Sequence, residues 1–170
     1  MKYALLVLVA TTGLLTASAQ DAPKKPVSPP ATTTQTIKSG AVVTINYSQP
    51  SVKGRKIGTE LEPKAGQVWR TGANKATTFE VTQDVKVNGK ALPKGKYGLF
   101  TLVNGEEWTI IFNKTWDQWG AFTYKADDDI LRVTTKSQKA PFAETLTFSI
   151  ANDGKVGLVW GDQKVEFTVE

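Results

Sequence analysis

The sequence contains no cysteine and no histidine. Without cysteine the chain has no disulfide and no cysteine nucleophile, so its hydrophobic core must hold it together. Without histidine it cannot build a Ser-His-Asp triad or an ordinary zinc site. Only carboxylate, lysine, tyrosine or hydroxyl chemistry is left for catalysis. The composition therefore favours a binding module over an enzyme, and we predict no catalytic residue, no metal and no cofactor.

Arginine is also scarce, with three arginines among 21 basic residues. One of them, Arg70, lies in the stretch 67–74, which runs QVWRTGAN between two segments of β pattern. A chain that uses lysine for plain positive charge uses arginine where a planar fork of donors is needed. Arg70 and Asn74 would then bind a carboxylate, a phosphate or a sugar hydroxyl beside Trp69. In the alternative, Trp69 lies in the core, Arg70 pairs with an internal carboxylate and Asn74 bonds local backbone.

The net charge is +5, and the lysines are scattered, usually with acidic residues nearby. Removal of a leader that contains Lys2 would leave 5 − 1 = +4. A scattered basic excess of this kind serves solubility, so we expect no nucleic-acid partner. The sequence leaves the oligomeric state open.

The first nineteen residues have the pattern of a signal peptide. Lys2 precedes an apolar run over residues 4–10, and the segment ends in Ala17-Ser18-Ala19, a small-x-small cleavage pattern. The run is too short and too interrupted to span a membrane, which takes about 20 apolar residues. We therefore predict export, with cleavage near Ala19 and a periplasmic or extracellular location.

Residues 20–35 are rich in proline and threonine, and this composition predicts a semi-extended tether before a domain over residues 36–170. From Thr36 onward apolar residues alternate with polar ones between turn signals; for example, Val43, Ile45 and Tyr47 share one face. About nine or ten short strands follow from this pattern, with Gly161 marking a turn near the end. The pattern predicts an all-β chain, a single antiparallel β-sandwich or jelly-roll-like barrel.

A second group of candidate residues follows the predicted strands at 97–103 and 108–113. Trp116, Trp119 and Tyr124 stand among acids and amides, a combination typical of carbohydrate binding. In the alternative, the two tryptophans cap one open end of the sandwich. The segment 114–120 is where a helical turn is expected. The cluster Asp127-Asp128-Asp129 lacks the spacing of a calcium loop, which favours a solvated turn, and Asp129 is placed to pair with Arg132.

Several motifs together resemble a known bacterial family. They are Ile45-Asn46-Tyr47-Ser48-Gln49-Pro50, Lys53-Gly54-Arg55, Val68 to Asn74, Asn88-Gly89-Lys90 and Gly95 to Phe100. This set resembles the family of domain of unknown function 2911 over nearly the whole predicted domain. The resemblance implies an exported β-rich domain without a settled activity. One position departs from the family pattern, which has an arginine where this chain has Gln49.

We expect the domain to bind a small polar or glycan ligand in the cell envelope. The candidate ligand-binding residues are Trp69, Arg70, Asn74, Arg55, Trp119 and Tyr124. A carboxylate-based hydrolase of envelope polysaccharide is an alternative, and it requires two carboxyl groups about 5 to 9 Å apart across a cleft. A structural or assembly domain of the envelope is a further alternative.

Overall fold

The structure, a computed structural model, describes residues 27–170. The predicted signal peptide and residues 20–26 of the predicted tether lie outside the described residues. Eleven strands and one short 3-10 turn, Ala126–Asp128, make up the described part. The strands are β1 Pro30–Thr36, β2 Val42–Ser48, β3 Val68–Trp69, β4 Thr77–Val81, β5 Val85–Val87, β6 Lys90–Leu92, β7 Gly95–Asn104, β8 Glu107–Asn113, β9 Asp129–Lys136, β10 Gln138–Ile150 and β11 Lys155–Thr168.

The larger sheet has the order β1-β2-β4-β7-β8-β9, with antiparallel pairing throughout. The short β3 pairs with the second half of β7, beyond the part that β4 occupies. A long hairpin, β10–β11, forms a second sheet, and β5–β6 form a small third one. Within residues 27–170, no helix is long and apolar enough to cross a membrane.

The core lies between the larger sheet and the long hairpin. In β2 the side chains alternate, and Val43, Ile45 and Tyr47 are buried as the sequence pattern predicts. Tyr47 meets Phe148 of β10 edge to face, with ring centroids 4.9 Å apart. The prediction of an all-β antiparallel sandwich is confirmed, and the architecture is an open sandwich rather than a closed barrel.

The predicted tether is wrong in its second half, because residues 30–36 form β1 and pair along their whole length with β2. The prolines do not oppose this arrangement, since Pro30 is the first residue of a strand at the sheet edge, where a missing N–H costs little. Threonine favours strands. One threonine, Thr33, also donates a hydrogen bond to the carbonyl oxygen of Phe148 in the second sheet, at 3.3 Å.

Two local predictions also need correction. Gly161 was expected to mark a turn between two strands, but it lies inside the continuous β11, opposite Ala143 at a register shift. Its φ of 62° is typical of a bulge, which bends the strand without ending it. The helical turn expected at 114–120 is absent there, and the short 3-10 turn lies at Ala126–Asp128 instead.

Residues 114–128, here called the outer segment, pack on the face of the larger sheet that points away from the core. Gly98 of β7 permits this contact, because a Cβ there would lie 3.3 Å from the carbonyl oxygen of Thr115 and 2.7 Å from the Phe100 ring. Phe100 is fully buried beneath the segment, where its ring centroid lies 5.1 Å from that of Tyr124. The buried Gln118 holds the segment together through a hydrogen bond of 2.6 Å to the Thr115 carbonyl oxygen.

A pair of glycine substitutions tests how closely the C-terminal end is packed. Gly154 and Gly40 both have a positive φ, of 88° and 87°. A Cβ at Gly154 would overlap the carbonyl oxygen of Val169, whereas a Cβ at Gly40 meets nothing within 4 Å. We expect Gly40→Ala to lower the free energy of unfolding in urea by about 1 kcal/mol through backbone strain. Gly154→Ala should lower it by about 3 kcal/mol or more; equal losses would contradict the packing described.

Candidate functional site

The stretch 67–74 leaves the larger sheet at the end of β3 and is held by its own hydrogen bonds. Trp69 is 2% exposed, and its indole N–H donates to the Gly72 carbonyl oxygen at 3.1 Å. Thr71, with a φ of 54°, is fully buried, and its carbonyl oxygen accepts a hydrogen bond of 2.9 Å from the Thr77 hydroxyl. Trp69 therefore belongs to the core, and only the surface of its ring borders the hollows beside Arg70.

Asn74 bonds backbone, but its partners lie in distant segments and not in the local backbone that the structural alternative predicts. Its side-chain nitrogen donates to the carbonyl oxygen of Ser28 at 3.2 Å, and its own carbonyl oxygen accepts from the Gly120 N–H at 3.0 Å. Asn74 has a φ of 59°, a conformation that asparagine tolerates better than most residues. It thus ties the stretch to the N-terminal segment and to the outer segment.

Arg70 lies between two surface hollows. One, of about 210 Å³, is lined by Arg55, Glu62, Arg70 and the buried rings of Trp69 and Trp160, among others. The other, of about 230 Å³, shares Glu62, Trp69 and Arg70 with the first. Its remaining walls come from Gln67, Val68, Ala121 and the largely exposed Phe122. The guanidinium group is therefore at the junction of both hollows.

The guanidinium group of Arg70 lacks the internal ion pair that the structural alternative requires. None of the ion pairs within residues 27–170 involves Arg70, and its buried Nε has no hydrogen-bond partner there. Burial lowers the pKa of Arg70 below its usual value, while the negative charge of Glu62 raises it. A guanidinium remains protonated even so. Arg70 is thus a half-buried cation that lines both hollows and keeps one buried donor without a partner.

Arg55 and Glu62, which line the first hollow with Arg70, are held by hydrogen bonds to the backbone. The Arg55 guanidinium donates to the carbonyl oxygens of Val52 and Ser51 at 3.1 and 2.7 Å, which fixes a second cation at the first hollow. The Glu62 carboxylate accepts a hydrogen bond of 2.9 Å from the backbone N–H of Lys64. The Glu62 carbonyl oxygen accepts one of 2.8 Å from the Trp160 indole. The loop over residues 51–66 is therefore anchored to the second sheet.

Gly120 allows the outer segment to close against Arg70. It has a φ of 66°, and a Cβ there would lie 3.3 Å from the Arg70 Nη1 and 3.0 Å from the ring of Phe122. Phe122 and Trp160 are not among the residues predicted for this site, because both reach Arg70 from distant segments and leave no signal in the sequence. Glu62 is also absent from the prediction, although it precedes Arg70 by only 70 − 62 = 8 residues.

Trp119 and Tyr124 do not join the Arg70 site. Trp119 is 61% exposed and lines neither hollow. Tyr124 packs on Phe100, and its hydroxyl donates to Asp129 at 2.6 Å and accepts from Arg132 at 2.8 Å. The predicted pairing of Asp129 with Arg132 is confirmed at 2.7 Å.

Gln49 makes a structural contact. Its side-chain nitrogen donates to the Leu146 carbonyl oxygen at 3.1 Å, which joins the end of β2 to β10. Within residues 27–170 no group of three His, Cys, Asp or Glu side chains is arranged so that it could hold a metal ion, and this includes the aspartates at 127–129. Asp128 instead pairs with Lys114 at 3.1 Å and accepts from the Thr115 hydroxyl at 2.7 Å.

The Arg70→Met substitution separates a binding role from a structural one. A half-buried cation without an ion-pair partner costs stability, and an apolar side chain of similar length removes that cost. We expect Arg70→Met to keep or raise the free energy of unfolding, by up to about 1 kcal/mol, in urea titrations without added ligand. A loss of about 2 kcal/mol or more would instead show that Arg70 stabilises the fold.

The tyrosine hydroxyl at Tyr124 should make stability fall at alkaline pH. Burial, and then the hydrogen bond to Asp129 and its negative charge, raise the pKa of Tyr124 from 10.0 to about 12. The folded chain keeps this proton between pH 10 and 12 while the unfolded chain loses it, so the stabilisation is complete below pH 10 and is lost as pH rises toward 12. Tyr124→Phe should flatten the decrease in the free energy of unfolding across this window. An unchanged slope would contradict the assignment.

Comparison with known proteins identifies a family without an assigned activity. Residues 28–169 match the family described as protein of unknown function (DUF2911). No curated protein and no solved structure matches the chain. Because the match covers nearly all of the sequence, the chain belongs to the DUF2911 family of proteins of unknown function.

Proposed function

We propose that this chain is a non-enzymatic binding module that holds a small anionic ligand through Arg70. The observation that supports it most is the half-buried guanidinium of Arg70, whose Nε is buried without a hydrogen-bond partner within residues 27–170. Buried polar groups in folded proteins nearly always have partners, so an orphaned donor calls for an explanation. A ligand carboxylate or phosphate would supply the missing acceptor.

The charges around Arg70 favour an anion. Arg55 and Arg70 carry two positive charges at the first hollow, and Glu62 carries one negative charge, which leaves 2 − 1 = +1. Arginine binds carboxylate and phosphate groups with parallel hydrogen bonds, which a lysine cannot reproduce. The rings of Trp69 and Trp160 provide apolar wall beside this charge. A small ligand with a carboxylate or phosphate group suits such a hollow.

The hydrolase alternative has weaker support. Glycoside hydrolysis by carboxylates needs two carboxyl groups across a cleft. Glu62 is the one carboxylate that lines either Arg70 hollow within the described residues. A purely structural role is also disfavoured, because it leaves the Arg70 donor without use. A binding module accounts for both observations.

The proposed location is the periplasm or the exterior of the cell. It rests on Lys2, the apolar run after it and the small-x-small pattern that ends at Ala19. Export would place the Arg70 hollows where soluble metabolites and envelope fragments are available as ligands.

Binding of small anions tests the proposal directly. Citrate and inorganic phosphate, titrated at constant ionic strength, should raise the midpoint of thermal unfolding of the wild-type protein. At 100 times Kd the stabilisation would be about 2.7 kcal/mol. Arg70→Met should abolish the shift, and Arg70→Lys should lose most of it because the fork is lost while the charge remains.

Lys86→Gln is the matched control, since it removes one exposed positive charge from a residue that lines neither hollow. This variant should respond to citrate as the wild type does. If Arg70→Met responds as strongly as Lys86→Gln, the anion does not bind at Arg70. If neither citrate nor phosphate stabilises the wild type at millimolar concentration, the proposed ligand class is wrong.

A further inference from the structure

A third hollow, here called the Trp116 hollow, lies on the outer face of the larger sheet and shares no residue with the Arg70 hollows. Its volume is about 240 Å³, and its floor includes Asn46 of β2 and Thr78 of β4, which are cross-strand partners. Its rim includes Trp116 and Asp117 of the outer segment, Lys75 and Lys96. Four parts of the chain that are separate in sequence thus converge on one concave surface.

The floor of the Trp116 hollow contains an unpaired polar group. Thr78 is 8% exposed, and its hydroxyl oxygen is buried without a hydrogen-bond partner within residues 27–170. The Asn46 side-chain oxygen accepts a hydrogen bond of 2.8 Å from Thr32, so its amide nitrogen remains as a donor toward other groups. A hydroxyl and an amide are the groups that bind sugar hydroxyls.

The rim combines an aromatic ring with positioned charges. The Lys96 ammonium lies 4.2 Å from the Trp116 ring centroid, which holds a cation at the edge of the hollow. Trp116 is nevertheless 38% exposed, so part of its surface is open to contact. Lys75 pairs with Asp117 at 2.9 Å, and both side chains are largely exposed. The hydrogen bond and charge of Lys75, with a smaller effect of Lys96, lower the pKa of Asp117, which is therefore ionised at neutral pH.

The groups around the Trp116 hollow favour a ligand that is a single sugar ring with one negative charge. The rim charges sum to 2 − 1 = +1, which favours one negative charge on the ligand. Asp117 supplies an acceptor for sugar hydroxyls, and Trp116 supplies an apolar surface for a ring face. The volume is below the roughly 300 to 1,000 Å³ of sites for drug-sized ligands, which suits a single ring.

We propose that the Trp116 hollow binds a saccharide unit that carries one carboxylate, such as a uronic acid residue of a polysaccharide. Trp116 contacts the ring face, Asn46, Thr78 and Asp117 take the hydroxyls, and Lys96 takes the carboxylate. This site is independent of the anion site at Arg70, and each can fail without the other.

The test is calorimetric titration of the purified protein with trigalacturonate. Its fully methylated ester, which has the same sugar rings but no charge, serves as the comparison. The wild type should bind trigalacturonate at least about tenfold more tightly than the ester, a ratio typical of one charged contact. Trp116→Ala and Lys96→Gln should each weaken binding of trigalacturonate about tenfold or more.

Matched controls are available for both substitutions. Trp119→Ala removes a more exposed tryptophan of the same segment, and Lys94→Gln removes an exposed lysine near Lys96; neither residue lines the hollow. Both controls should retain wild-type affinity, and the binding that Lys96→Gln weakens should persist in Arg70→Met. If Trp116→Ala fails to fold, Lys96→Gln against Lys94→Gln decides the outcome alone.

Several results would overturn the proposal. Equal binding of the methyl ester would remove the requirement for a carboxylate. Equal loss in Trp119→Ala would place the saccharide elsewhere on the outer segment, and loss in Arg70→Met would place it in the Arg70 hollows. Absence of measurable heat with trigalacturonate at millimolar concentration would exclude the site.

Discussion

The antiparallel hydrogen bonding of β7 is the interaction on which the rest of the structure depends. Along one edge, its first half pairs with β4 and its second half with β3, while β8 pairs along the other edge. Successive side chains of a strand point to opposite faces. Tyr97 and Leu99 therefore enter the core between the sheets, whereas Lys96, Gly98 and Phe100 face outward and carry the outer segment.

The Arg70 site is a consequence of two strands that share one edge of β7. The chain must leave that edge after Trp69 and return to it at Thr77, within seven residues. It does so through positive φ values at Thr71 and Asn74, which the surrounding hydrogen bonds hold in place. This detour puts the Arg70 guanidinium outside the core, where the 51–66 loop and the outer segment close around it.

Much of the fold could be predicted because period-two alternation and turn residues act locally. The inward face of β2 and the hairpin β7–β8 followed directly from that pattern. The pattern failed where tertiary context overrides composition. Pro30 begins an edge strand because it can pair with β2. Gly161 forms a bulge and not a turn because β10 continues past Ala143, the residue that pairs with it. In the candidate site, Arg70 and Arg55 were predicted from residue chemistry, but Trp160 and Phe122 join them only through contacts between distant segments.

The sequence by itself determined the all-β class and the pairing of Asp129 with Arg132, because these depend on residue type and short spacing. Tertiary structure alone decided which tryptophans are buried and which are exposed. Trp69 is 2% exposed, Trp119 is 61% exposed and Trp116 borders a hollow. It also decided that Arg70 has no carboxylate within ion-pair distance among residues 27–170. The physical reason is that burial and pairing depend on which distant strands meet, and that is a property of sheet order rather than of local sequence.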